Sequence, residues 1–287
     1  MTSCFFASDL HGSVDRYEKL FGAIRAERPR AVFLGGDLLP SGAFAGVGLP
    51  RNVDDFVADF LAAGFGELRR ELGPDYPSVC LILGNDDPRF EEAAVLDAAT
   101  QGIWHYVHNR RVEIGAHELY GYAKVPPSPF RLKDWEAYDV SRYVDPGCVS
   151  PEQGVRTIPV AEHLIRYGSI KQDLDQLTGD ADLSGAIFLF HSPPYETALD
   201  RAALDGKMVD HVPLDVHVGS IAIRRFVEER QPLVTLHGHI HESARITGSW
   251  RDRIGRTEML SAAHDGDELA LVRLSLEDPA AATRELI

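Results

Sequence analysis

Seven side chains of this sequence are types that ligate divalent ions, and they share one local context. Asp9 and His11 form an Asp-x-His pair, Asp37 follows Gly36, and Asn85 follows Gly84. His191 precedes Ser-Pro-Pro, and His239 with His241 forms Gly-His-x-His. Each group closes a short apolar run, at residues 2–8, 31–34, 79–83, 186–190 and 233–236. Imidazole mixed with carboxylate and amide oxygen suits Mn, Fe, Co or Zn better than Mg or Ca, which prefer all-oxygen shells. Seven ligands exceed one tetrahedral shell and suit two ions sharing one bridging residue. Such pairs sit about 3.5–4 Å apart and stabilise both the attacking and the leaving oxygen of an in-line displacement.

The signals differ in weight. Composition alone predicts Gly-His-x-His about 0.04 times in a chain of this make-up, so that motif is informative. Asp-x-His recurs at Asp215-Val216-His217, where no apolar run precedes it, and that copy reads as loop. Gly-Asp recurs at Gly179-Asp180 and Gly266-Asp267 and is weak alone. The specific signal is the ordered set, each member at the end of an apolar run.

The elements that position these residues follow from pattern. Apolar runs of four to seven residues bounded by Gly and Pro read as buried strands. Residues 13–27 place Val14, Tyr17, Leu20, Phe21 and Ile24 on one helical face, with Ser13 as N-cap. Residues 52–72 and 219–230 carry further helical stripes. The first hundred residues therefore read β-α-β-α-β, the signature of a parallel sheet with right-handed crossovers. Residues 110–123 predict a hairpin about Gly115-Ala116, and 257–263 and 269–276 predict strands. In open α/β sheets the working residues collect at the carboxyl ends of strands, where this ligand set falls.

Between residues 124 and 184 the composition changes. Six prolines and the aromatics Phe130, Trp135, Tyr138 and Tyr143 accompany one expected helix at 162–177. A strandless connection of this length predicts a lid or binding insertion, or else a surface excursion packed by its own aromatics. The reading is one domain over 1–287 with that insertion at 124–184. Arg131, Lys133 and Arg142 are its candidate phosphate partners, against the plainer reading of a solvated face.

Charge and composition exclude other classes. There are 29 Lys and Arg against 44 Asp and Glu, a net charge of −15. That balance argues against a nucleic-acid partner, whose phosphates need Lys and Arg to neutralise them. No apolar run approaches a membrane span. The opening residues lack a basic segment and reach Asp9, so no secretory leader is expected. Cys4, Cys80 and Cys148 form no Cys-x-x-Cys pair and no disulfide framework. A cytoplasmic location is expected.

Taken in order, Asp9-x-His11, Gly36-Asp37, Gly84-Asn85, His191 and Gly238-His239-x-His241 resemble the calcineurin-like metallophosphoesterases, and all metal-binding positions of that motif are filled. The segments 191–200 and 218–220 are similar to a branch of small prokaryotic phosphoesterases. The resemblance implies a four-layer α/β/β/α sandwich of two mixed sheets with a binuclear site where they meet. It implies that Asp9, His11, Asp37 and His241 hold one ion, and that Asp37 bridges to a second completed by Asn85, His191 and His239. The implied reaction is hydrolysis of a phosphomonoester or (cyclic) phosphodiester of a small molecule by a hydroxide bridging two Mn, Fe, Zn or Co ions. Asn85, Asp86 and His191 are the catalytic candidates. A nuclease or nucleotide pyrophosphatase of the same fold, or a catalytically silent metal-binding scaffold, are the alternatives. Ser/Thr protein phosphatases carry Arg-Gly soon after Gly-Asp, whereas Asp37 continues Leu38-Leu39-Pro40. A homo-oligomer is compatible with the sequence.

One departure matters. Many members of that family have His after Gly-Asn, thought to protonate the leaving oxygen, and here Asp86 stands there. A carboxyl donates a proton near neutrality only with a raised pKa, for instance by burial, and nearby dications oppose that. His211 and His217 are alternative acids, against the plainer reading of exposed loop histidines. His237 reads as packing at a strand end. His105, His108, His117, His163 and His264 follow no ligand pattern and read as structural or exposed.

Overall fold

A computed structural model of the chain describes residues 3–40 and 54–287. Along the chain run β1 (Ser3–Ala7), α1 (Val14–Glu27), β2 (Ala31–Gly35), α2 (Ala63–Leu72), β3 (Ser78–Ile82), α3 (Glu92–Thr100) and β4 (His105–Tyr106). Next come β5 (Arg110–Ile114), β6 (His117–Tyr122), α4 (Glu162–Tyr167), α5 (Ile170–Thr178) and β7 (Ile187–Phe190), then a two-residue hairpin of β8 (Met208–Val209) and β9 (Val212–Pro213). The chain closes with α6 (Ile221–Arg230), β10 (Val234–His237), α7 (Ser243–Thr247), β11 (Arg251–Ile254), β12 (Thr257–Ser261), β13 (Ala270–Ser275) and β14 (Asp278–Leu286).

The strands form two six-stranded mixed sheets, ordered β14-β13-β1-β2-β3-β4 and β11-β12-β10-β7-β6-β5. β1 to β4 pair in parallel, as the β-α-β-α-β reading requires, and β13 joins β1 antiparallel. In the second sheet β6, β7, β10 and β12 are parallel, with antiparallel β5 and β11 at the edges. The period of two along each strand then decides the layers. Ile187 and Leu189 of β7 join the core shared with Phe6, Phe33 and Cys80, which the register places on one face of the first sheet. Phe188 and Phe190 face the other way, into Ile170 and Leu174 of α5 and Ile223 and Phe226 of α6. Leu20 of α1, Phe65 of α2 and Val95 of α3 cover the far face of the first sheet. The result is the four-layer α/β/β/α sandwich, with β2 against β7 and β3 against β6 at the inter-sheet seam.

Several expectations change in detail. The helix foreseen at 52–72 begins among the described residues as a π-helical turn, Phe56–Ala62, before α2, and residues 52 and 53 lie outside those described, as does Thr2 at the head of the first predicted strand. The single helix foreseen at 162–177 is two, because Gly168 leaves helical geometry and Ser169 starts a new helix by accepting the Gln172 N–H. Lys133 is neither a phosphate partner nor on a solvated face. Its side chain is fully buried and its ammonium meets Glu136 at 2.5 Å and the Ser128 carbonyl at 2.9 Å. Burial and that pairing leave it nothing to offer a substrate. Arg142 is exposed and paired with Glu152, stacked on Tyr138. Trp135, fully buried, donates its indole N–H to the Asp87 carbonyl at 2.8 Å, so residues 124–184 are tied to the loop that follows β3.

Candidate metal centre

All seven foreseen ligands leave strands at one end of the sandwich: β1 delivers Asp9 and His11, β2 Asp37, β3 Asn85, β7 His191, and β10 His239 and His241. The loops are zipped to one another by their backbones. Asp9 N–H donates to the Gly36 carbonyl at 3.0 Å, His11 N–H to that of Asp37 at 2.8 Å, and Gly238 N–H to that of His191 at 3.0 Å. This lacing holds four ligands in the left-handed region: Asp9 (φ 57°), His11 (45°), Asp37 (52°) and His239 (75°). For residues with a Cβ each costs about 1–2 kcal/mol, and such strain persists only where the surroundings impose it.

Two cages result. Ligand atoms of Asp9, His11, Asp37 and His241 lie within 4.8 Å of one another, and those of Asp37, His191 and His239 do likewise, so Asp37 belongs to both. In the first, His11 Nε2 faces His241 Nε2 at 3.2 Å and Asp9 Oδ1 lies 3.2 Å from His241 Nε2. In the second, His191 Nε2 lies 3.2 Å from Asp37 Oδ2 and 3.0 Å from Asn85 Oδ1. His191 donates its Nδ1–H to the Gly35 carbonyl at 2.8 Å, which orients the ring and points Nε2 inward, as metal-ligating histidines are normally held.

The donor set fits cations. Among the described residues, buried Asp9 Oδ2 has no hydrogen-bond partner, an acceptor left for a cation. Protonation points the same way. Burial alone would raise the Asp9 and Asp37 carboxyls, yet the surrounding histidines hold Asp9 far below the usual carboxylate range and Asp37 down at about 2. Burial opposes a charge on His191 and His241, but Asp37 and Asp9 drive them up to about 10 and about 9. Desolvation and the neighbouring His191 push the half-buried His239 down to about 3. The cluster thus draws positive charge to itself, which in the chain alone means protons and which dications supply more fully. The histidine nitrogens and carboxylate oxygens suit Mn, Fe, Co or Zn.

Access is one-sided. His191 and Asp37 are 0% and 3% exposed in their side chains, whereas His241 is 34% and Asp86 43% exposed, so a ligand reaches the cages past the last two. Burial and the charge of Asp37 both raise the Asp86 carboxyl.

Other candidates sit elsewhere. His217 is held by Asp200 at 2.8 Å, and His211 lies in the turn between β8 and β9. Among the described residues no hydrogen bond or ion pair joins either to a ligand. His237 packs, bonding the Ser192 carbonyl at 2.9 Å and Thr235 Oγ1 at 2.7 Å and stacking on Phe190.

Two residues escaped sequence reasoning. Asp87, fully buried, accepts from the N–H groups of Leu38 (3.1 Å), Leu39 (2.8 Å) and Gly84 (2.8 Å), and so clamps the β2 loop to the β3 loop. The doubled carboxylate after Gly-Asn was its only sequence signal. Arg16 reaches back from α1 to the Asp9 carbonyl at 2.7 Å, a contact that nothing in the sequence marks.

A family model described as calcineurin-like phosphoesterase matches residues 4–243. No curated protein matches the chain. Among solved structures, one is similar over 99% of this chain and 98% of its own, at 16% identity and a TM-score of 0.61. Another, TT1561 of Thermus thermophilus, is similar over the same shares at 15% identity and a TM-score of 0.55. At such identities the likeness concerns the fold.

Proposed function

The chain belongs to the calcineurin-like phosphoesterase family, a phosphoric ester hydrolase fold that works with divalent metals, and on that premise we propose the rest of its chemistry. It hydrolyses a phosphomonoester or (cyclic) phosphodiester of a small molecule with two transition-metal ions, drawn from Mn, Fe, Zn and Co. The observation that carries this reading is the position of Asp37 in both cages.

Asp9, His11, Asp37 and His241 would hold one ion, and Asp37, Asn85, His191 and His239 the other. Bound there, the ions supply Lewis acidity, which makes water a nucleophile near neutral pH and offsets charge building on the phosphoryl oxygens. The chain does the rest. Asp37, anchored through its Oδ1 by the Asp86 N–H at 2.8 Å, keeps its Oδ2 turned toward His191. The Gly35 carbonyl keeps the His191 tautomer and angle fixed. The exposed side by His241 and Asp86 admits the ester, and the buried side excludes water from behind the ligands. A small anion is favoured over nucleic acid because the net charge is −15. Among the described residues no helix is long and apolar enough to cross a membrane.

The test pairs metal analysis with a substrate screen. Protein loaded with Mn, Fe, Zn or Co should carry near two equivalents and hydrolyse p-nitrophenyl phosphate, bis-p-nitrophenyl phosphate or cyclic nucleotides. Asp37→Asn should lose metal and turnover together. Full turnover by that variant, or a wild-type protein that takes up no metal, rejects the reading.

A further inference from the structure

Asp86 stands beside Asn85, where a proton donor would be sought, but its contacts give it different work. Its Oδ1 accepts the Asn85 side-chain Nδ2–H at 3.1 Å. Its Oδ2 lies 3.9 Å from His11 Nδ1, and that buried nitrogen has no hydrogen-bond partner among the described residues. His11 turns its other nitrogen, Nε2, into the first cage against His241, so its proton belongs on Nδ1, on the Asp86 side. Asn85 has the same need: with its amide nitrogen on Asp86, its Oδ1 is the atom that points at His191 Nε2, 3.0 Å away. A flipped amide would thrust N–H groups into a cation site. The terminal torsion of an aspartate is soft, and Asp86 is 43% exposed, so a small turn of the carboxylate closes the gap to His11.

We propose that Asp86 is a positioning residue for the metal centre, its carboxylate accepting N–H groups from His11 and Asn85 at once and so setting the histidine tautomer in one cage and the amide orientation in the other. The proposal rests on the reading of the two clusters as cation cages. A carboxylate committed to two donors remains an acceptor, so leaving-group protonation is not its task. The residue that replaces the usual histidine here has exchanged acid chemistry for alignment of the ligands. Second-layer partners of this kind change metal affinity about 10–100-fold when removed.

Three readouts on the full chain test it. Equilibrium dialysis with Mn2+ should show Asp86→Ala binding about 10–100-fold more weakly than wild type. Asp86→Asn, which keeps an acceptor oxygen for only one of the two donors, should fall between. Long-range proton–nitrogen correlation spectra of the metal-free protein should show His11 as the Nδ1–H tautomer in wild type and as a tautomer mixture in Asp86→Ala. At saturating Mn2+ the dependence of rate on leaving-group pKa should have the same slope in both proteins. Thermal unfolding of the metal-free variants verifies folding, and the near-isosteric Asp86→Asn carries the test if Asp86→Ala does not fold. Unchanged Mn2+ affinity, an unchanged His11 tautomer, or a slope that steepens only in Asp86→Ala overturns the proposal while leaving the cages intact. A wild-type protein that binds none of Mn, Fe, Co or Zn removes the cages and the proposal together.

Discussion

Replacing Gly84 by alanine separates the geometry of the metal centre from the stability of the fold. An added Cβ would sit 2.3 Å from Asp37 Oδ1, 2.5 Å from the Asp37 backbone nitrogen and 2.7 Å from His191 Cε1. Ordinary contacts between such atoms are about 3.5 Å, so the loops after β2 and β3 must part by about 1 Å. Gly84 has no left-handed φ, so the penalty is steric. Overpacking of this kind costs about 1–3 kcal/mol, against about 0.4–1 kcal/mol gained by stiffening the unfolded chain. The net loss of about 1–2 kcal/mol lowers Tm by roughly 2–3 °C in a chain of 287 residues. Function suffers far more, because a misplacement of about 1 Å among reacting groups costs about 100-fold in rate. The assay measures kcat/KM on p-nitrophenyl phosphate, metal content and Tm for Gly84→Ala beside Gly66→Ala. Gly66 lies in α2, where an added Cβ would meet nothing within 4 Å among the described residues, and alanine there should stabilise by about 0.5–1 kcal/mol. A Gly84→Ala protein with wild-type metal content and turnover would refute the argument that the two loops meet at that atom.

Three other expectations rest on different parts of the molecule. Lys133→Met strands the buried Glu136 carboxylate and should cost about 3–5 kcal/mol; chemical denaturation reads it, and an unchanged midpoint would remove the pair from the account. His108, buried with its Nδ1 accepting the Ala123 N–H at 3.0 Å, has its pKa held well below 6.5 by burial and by nearby Lys124, Arg89 and Arg110. Since its folded pKa is depressed, its contribution is complete above the unfolded value near 6.5 and is lost as pH falls below it. Between pH 7.5 and 5.5 wild type should therefore lose about 1.4 kcal/mol more than His108→Asn, which keeps an acceptor but does not titrate; equal losses would remove His108 from the account. Chelation should lower the Tm of loaded protein and end turnover, with a shift of about 2.7 kcal/mol if metal had stood at a hundred times its Kd; a Tm unmoved by chelator argues against structural coupling of the cages.

The polar constellation was legible because each ligand follows a strand, and strands announce themselves by apolar runs of four to seven residues. Their type and order sufficed to gather Asp9, His11, Asp37, Asn85, His191, His239 and His241 into one reading, and the family match over residues 4–243 agrees with the fold drawn from it. β14 was not legible. Its Ala-Ala-Ala-Thr-Arg-Glu-Leu sequence favours a helix by propensity, yet it pairs with β13 at the edge of the first sheet, because the ladder β13 offers outweighs a weak local preference.

What the sequence determined by itself was which residues stand at strand ends, for that depends on neighbours along the chain. It could not determine that Asp86 would accept the Asn85 amide, that Asp87 would clamp two loops through three N–H groups, or that Lys133 would be buried on Glu136. Those contacts bring together residues from separate elements, or turn a charged side chain inward against its solvation preference. Only the packing of the sheets and loops supplies the burial and the partners that decide them.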